Sequence, residues 1–190
     1  MMKGLFDVEA FTNLPDGLRP SDYVDFLLFL SSKKPVVRLG KNGEKVYSSV
    51  VAWCKTYNIR YYISAERYMY VSKRFLLPWI TSVVDDLPVP HTILLGKLFG
   101  YPHCCTQKIS QLGEDLIDEW ELTEFADEDL VGDYRLIDPK LYRKGAALIS
   151  HVPCSNKCDA SLQIAKDVYQ IIAKHRDLPC MENWLSHFKN

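Results

Sequence analysis

No stretch of this chain stays apolar for the roughly 18–20 residues that a membrane-crossing helix needs. The longest runs, at 26–30 and 75–84, fall well short of that length. No export signal is expected from the opening Met1-Met2-Lys3-Gly4-Leu5-Phe6-Asp7-Val8-Glu9, which meets acid before an apolar run develops. Membrane insertion and secretion are therefore not expected, and a cytoplasmic location is. Glycine and proline, at 9 and 10 of 190 residues, are not in excess, which argues against a low-complexity chain. Net charge is nearly absent. At −1 it gives the whole molecule no pull toward nucleic acid or an anionic membrane.

The chain also lacks the common catalytic signatures. It has no Gly-x-x-x-x-Gly-Lys-Ser/Thr loop, Gly-x-Gly-x-x-Gly fingerprint, Gly-x-Ser-x-Gly elbow or His-Glu-x-x-His helix. These absences weaken nucleotide-dependent, serine-hydrolase and thermolysin-like readings. What is present is an ordinary globular composition, 47% hydrophobic and 25% charged, enough for one well-buried core. A single domain over 1–190 is expected, with an α/β part over about 1–74 and a helical part over about 75–190.

The expected fold class is α+β: a small N-terminal mixed or antiparallel sheet with a predominantly helical C-terminal half. Pro20-Ser21-Asp22 predicts a helix start with Ser21 as N-cap, followed by an apolar face over 23–30. Strands are predicted at 35–39, 59–64 and 68–72, where Val, Ile and Tyr dominate. The Asn-Gly step in Gly40-Lys41-Asn42-Gly43 predicts a turn, and a helix through Val50, Trp53, Cys54 and Tyr57 follows. Further helices are predicted near 75–86 and 91–99, after Cys105, over 139–150 and 155–175, and around Trp184, Leu185 and Phe188.

The distinctive chemistry lies in six cysteines, four of them in two motifs: Gly-Tyr-Pro-His-Cys-Cys at 100–105 and Pro-Cys-Ser-Asn-Lys-Cys at 153–158. In the cytoplasmic location expected here, cysteines are expected as thiols or metal ligands rather than disulfides. On a helix beginning after His103, Cys105 shares a face with Ile109, Leu112 and Leu116, whereas Cys104 leads a polar row. Pro153 ends any preceding helix, and Ser155 as N-cap would put Cys158 in a first turn. Cys158, Leu162, Ala165, Tyr169 and Ile172 then form one inward stripe. A helix N-terminus favours thiolate, the form that binds metal and attacks electrophiles.

Three readings stay open. Cys104, Cys105, Cys154 and Cys158 make a four-sulfur metal site, with zinc the simplest occupant and an iron–sulfur cluster an alternative. Or they make a redox pair or a nucleophilic thiol, Cys104 having His103 or, with better geometry, His151 as base. Or Cys105 and Cys158 are small buried apolar residues with no cofactor at all. His103 and His151, each beside a motif, are the spare ligands.

The run 98–105, followed by His151-Val152-Pro153-Cys154-Ser155-Asn156-Lys157-Cys158, resembles the paired signature of an uncharacterised prokaryotic family, domain of unknown function 483. Tyr70-Val71-Ser72-Lys73 resembles the strand end that precedes that signature, and the likeness covers about 59–175. Thr106-Gln107-Lys108 departs from the more apolar continuation of the family. The resemblance implies that the two motifs act together and carries no activity.

Other features read more simply. Cys54 is expected in the core and Cys180 packed in a loop. Between Lys108 and Arg135 there is no basic residue, while Glu114, Asp115, Asp118, Glu119, Glu121, Glu124, Asp127, Glu128, Asp129 and Asp133 crowd the interval. A solvated face or a docking surface for a basic protein partner is the expectation there. The segment 55–74 carries Lys55, Arg60, Arg67, Lys73 and Arg74 among five tyrosines, about half of which strand alternation should bury. Without a recognised motif, nucleic-acid binding is not expected from it.

Overall fold

Six of the seven residues from Val24 to Leu30 are apolar, and a helix apolar on every side must be buried on every side. That is the position of α2 (Pro20–Leu30) at the centre of the computed structural model, with Val24, Phe26, Leu27 and Leu30 wholly inaccessible. The structure describes residues 6–88, 91–126, 130 and 132–188. Helix α2 begins one residue before the expected cap. Proline suits the first helical position, so Pro20 takes it and Arg19 becomes the N-cap. Asp22, not Ser21, closes the end: its carboxylate accepts the Arg19 N–H at 2.9 Å and pairs with the Arg19 guanidinium at 2.7 Å. Ahead of it the short α1 (Val8–Thr12) is anchored by the Trp53 indole, which donates to the Ala10 carbonyl at 2.9 Å.

The sheet is small, antiparallel and confined to the first half of the chain, as expected. β1 (Val37–Leu39) and β2 (Arg60–Ile63) flank β3 (Met69–Ser72) in the order β1-β3-β2. The registers Val37↔Val71 and Leu39↔Met69 turn those side chains into the main core. Arg38, Tyr70 and Tyr62 share the opposite face. Burial of the tyrosines divides by strand rather than by alternation, because β3 is central and β2 an edge. Between β1 and α3 (Tyr47–Thr56) the chain forms a 3-10 turn at Lys41–Val46 in place of the expected Asn-Gly turn.

Beyond the sheet come α4 (Leu77–Asp85), α5 (Thr92–Leu98), α6 (His103–Leu112), α7 (Ile117–Glu124), α8 (Asp159–Lys174) and α9 (Pro179–Ser186). The helix expected over 139–150 is absent. A single 3-10 turn at Pro139–Leu141 gives way to a turn over 142–145 and then an irregular strap whose Ala146, Ala147, Leu148 and Ile149 are almost fully buried. Gly145 causes the break: it takes φ +70°, and a Cβ there would lie 2.7 Å from Pro20 Cβ. Strap carbonyls that a helix would have satisfied are met by Trp184, whose indole donates to Ala146 O at 2.7 Å and Ala147 O at 3.2 Å. One apolar cluster runs from Ala10 through α2, the sheet and the strap to α8 and Leu185, so both halves share a core.

Candidate metal centre

The first arm of the site is the α5–α6 pair. Gly96 lets the helices touch, since a Cβ at that position would fall 2.0 Å from Thr106 Cγ2. After the turn at Gly100, the Pro102 carbonyl accepts from both Cys105 N and Thr106 N at 3.1 Å, which starts α6 directly under the cysteines. Cys105 faces inward and is 1% exposed, while Cys104 lies exposed beside it. This is the division that the helical spacing predicts. Leu116, however, lies past Gly113 and outside that stripe, 45% exposed.

The second arm is the strap and the turn after it. Lys34, almost fully buried, donates to Ser150 Oγ at 2.9 Å and to Tyr101 Oη at 3.2 Å. One ammonium thus ties together the approaches to both motifs. Burial opposes its charge, but Asp25 at 3.1 Å prevails and Lys34 titrates above the ordinary lysine range. Tyr142 donates to the other Asp25 oxygen at 2.9 Å. The 153–158 turn is pinned by Asn156 N donating to Glu124 Oε1 at 3.0 Å and Cys158 N to Ser155 O at 3.2 Å. Ser155 therefore caps a turn, and Cys158 itself is the N-cap of α8, three residues after the expected cap. Val168 rather than Tyr169 completes the buried stripe.

These two arms bring the four motif sulfurs within 4.8 Å of one another, a group able to hold a metal ion. Cys104–Cys105, Cys104–Cys158 and Cys105–Cys158 stand 3.9, 3.8 and 3.7 Å apart. Cys154, partly buried, completes the group. Among the described residues this is the one cluster of histidine, cysteine, aspartate or glutamate side chains so arranged. His103 is exposed on α6 and outside it; Asp127, Glu128 and Asp129 lie outside the described residues.

Ser161, fully buried, is a site residue that sequence reasoning missed. Its hydroxyl donates to Cys158 Sγ at 3.2 Å, lies 3.4 Å from Cys105 Sγ and meets His151 Nε2 at 2.9 Å. His151 thus reaches the sulfurs through Ser161, and its ring lies against Tyr101 at 5.3 Å. Burial and then the Lys34 charge push His151 down to about 3, so its imidazole is neutral near pH 7. Cys158 is drawn down to about 4, first by the hydrogen bond from Cys105, with Ser161 adding to it against burial. The same bond, and then burial, push Cys105 well above the thiol range, and burial foremost lifts Cys154 to about 12. The negative charge is therefore drawn to Cys158, while Cys105 and Cys154 hold their protons beside it.

A cavity of about 250 Å³ opens on the far side of Cys105, between α5, α6 and the sheet. Phe99, Tyr101 and His151 line it, and Arg38 borders it, paired with Asp85 at 2.8 Å. The remaining cysteines stand apart. Cys54 is in the core, with burial lifting its thiol to about 12. Cys180 is exposed on α9 rather than packed in a loop. No described helix is long and apolar enough to cross a membrane. No family model matches the chain, and no curated protein or solved structure matches it.

Proposed function

We propose that Cys104, Cys105, Cys154 and Cys158 bind a single zinc ion in a closed four-thiolate shell, and that the ion is a structural staple. Sulfurs about 2.3 Å from a central zinc lie on a tetrahedron with edges of about 3.8 Å. The three separations of 3.7–3.9 Å are the observation that carries this reading. An iron–sulfur cube sets each thiolate on a different iron around the outside of the cluster, which needs wider spacing than direct contact between sulfurs. A redox dithiol needs two sulfurs, whereas four lie within 4.8 Å of one another here. Zinc binds thiolate, so the protons still held by the cluster leave to solvent as the ion enters, and binding is tighter at higher pH.

A closed shell leaves no coordination position for substrate. The ion's work is then mechanical: it locks the start of α6 to the start of α8 and so fixes the Cys105–His151 wall of the cavity. Kinship with the family whose signature the two motifs resemble belongs to the same proposal. A second reading, an accessory protein that docks a basic partner through 114–133, draws on α7. That helix buries no residue and leaves Leu122 71% exposed among acids.

The test is elemental analysis of protein purified anaerobically without chelator, with thiols counted on the same sample. About one zinc per chain is expected, with four of the six thiols shielded. Cysteine-to-serine changes at each of the four positions should weaken retention, while Cys54→Ser and Cys180→Ser should not. A metal-free protein with all six thiols titrating once unfolded, and no zinc taken up on addition, sinks the proposal.

A further inference from the structure

Helix α4 is amphipathic in the wrong sense for a helix that ends at solvent. It buries Pro78, Thr81 and Ser82 against the sheet, and turns Trp79, Ile80 and Val83 outward at 51%, 37% and 44% exposure. Phe75 and Leu76 precede it at 74% and 55%, and Leu87 follows at 41%. Beside it lies β2, an edge strand exposed at all four residues, with Tyr61, Tyr62 and Ile63 where edges usually carry charge or proline. Its one charge, Arg60, is drawn over the Phe75 ring at 5.5 Å. We propose that this face, the β2 edge with the outer side of α4, pairs about a two-fold axis with a second copy of this chain.

The charges choose the occupant. Lys73 and Arg74 stand exposed just before α4, and Asp86 stands exposed just after it. When two copies of α4 lie antiparallel, Arg74 of each faces Asp86 of the other, so one element complements itself and needs no second surface. Antiparallel pairing of the β2 edges uses the same axis and places both α4 helices on one face of a continuous six-stranded sheet. An anionic lipid surface would accept the cationic end of α4 and reject the acidic one. The apolar side chains left exposed on β2, on α4 and at its two ends, from Tyr62 at 36% to Phe75 at 74%, give such a pairing an apolar centre between the charged ends.

Sedimentation velocity over a range of concentrations tests this with the full chain. A dimer that dissociates on dilution is expected, and Val83→Glu should weaken it about a hundredfold. Arg74→Glu and Asp86→Arg should each weaken it about tenfold and together restore it, since both cross-axis pairs are then reversed. These side chains are exposed, so circular dichroism should be unchanged in every variant. A monomer at all concentrations overturns the proposal, and so does a dimer indifferent to Val83→Glu or a double charge swap without rescue. A monomer that floats with phosphatidylserine vesicles also overturns it and gives the face to a membrane.

Discussion

Ser161 Oγ serves two sulfurs and an imidazole at once, and its removal would leave all three groups buried without a hydroxyl partner. Outer-sphere hydrogen bonds of this kind orient ligands and set how much negative charge a thiolate keeps. Ser161→Ala should therefore lower zinc affinity about 10- to 100-fold in a chelator competition while the four cysteines remain in place. An unchanged affinity would show that the hydroxyl only fills space. Nothing in the sequence singled out Ser161. A serine three residues after Cys158 is what any helix start carries, and its role arises only because α8 turns that position toward Cys105. The four cysteines were legible for the opposite reason: the residue type is scarce, and its two spacings made sense only together.

His151 gives a pH dependence of definite sign. Its pKa is about 3 when folded and roughly 6.5 when unfolded. Between these values the unfolded chain binds the proton and the folded one does not. Stability from keeping His151 neutral is thus fully present above about pH 6.5 and is lost as pH falls toward 3. The denaturation midpoint of wild type should fall more steeply from pH 7 to 4.5 than that of His151→Gln, whose amide can still meet Ser161. Both proteins are to be compared at equal zinc loading, so that thiolate protonation cancels. Equal slopes would mean that the imidazole titrates normally in the fold.

Among the elements, the α5–α6 contact is the narrowest constraint on the site. Gly96→Ala drives a Cβ to 2.0 Å from Thr106 Cγ2, and overpacking of this kind costs about 1–3 kcal/mol. Thr106→Ser removes the offending methyl and keeps the hydroxyl that donates to His103 O at 2.9 Å. The double variant should therefore regain most of the loss in a chemical melt, and failure to regain it would place the strain elsewhere. The elements also mark where local pattern stops deciding. Helices α4, α5 and α6 form near where periodicity put them, because their own spacing and prolines determine them. The 146–150 strap reads as helix on propensity, yet Gly145 against Pro20 and the distant Trp184 indole override it. Residues close in space but far apart in sequence made that decision. The late start of α8 has a local cause instead: Cys158 takes the N-cap place that Ser155 was expected to hold.

At the scale of the molecule, the shared core is uneven. Between them α5, α6 and α7 bury only Gly96, Cys105 and Thr106 within their helices, with Phe99 and Phe125 anchoring their ends. By contrast α2 and the strap bury nearly every residue, and β3 is buried throughout. A segment with so little apolar surface removed from water has little hydrophobic stabilisation of its own, at roughly 25 cal/mol per Å². Its attachment rests instead on the Lys34 hydrogen bonds, on Glu124 accepting from Asn156 N and, on the reading proposed above, on the ion between Cys104, Cys105, Cys154 and Cys158. Stripping zinc should therefore not unfold the chain as one unit. Amide exchange should accelerate first across 92–125 and the 153–158 turn, while α2 and β3 stay protected, because local opening follows local burial. Uniform acceleration through α2 would show that the metal is needed by the whole core. No acceleration at all would show that the helices hold without it, and the closed shell would then need a purpose other than mechanical.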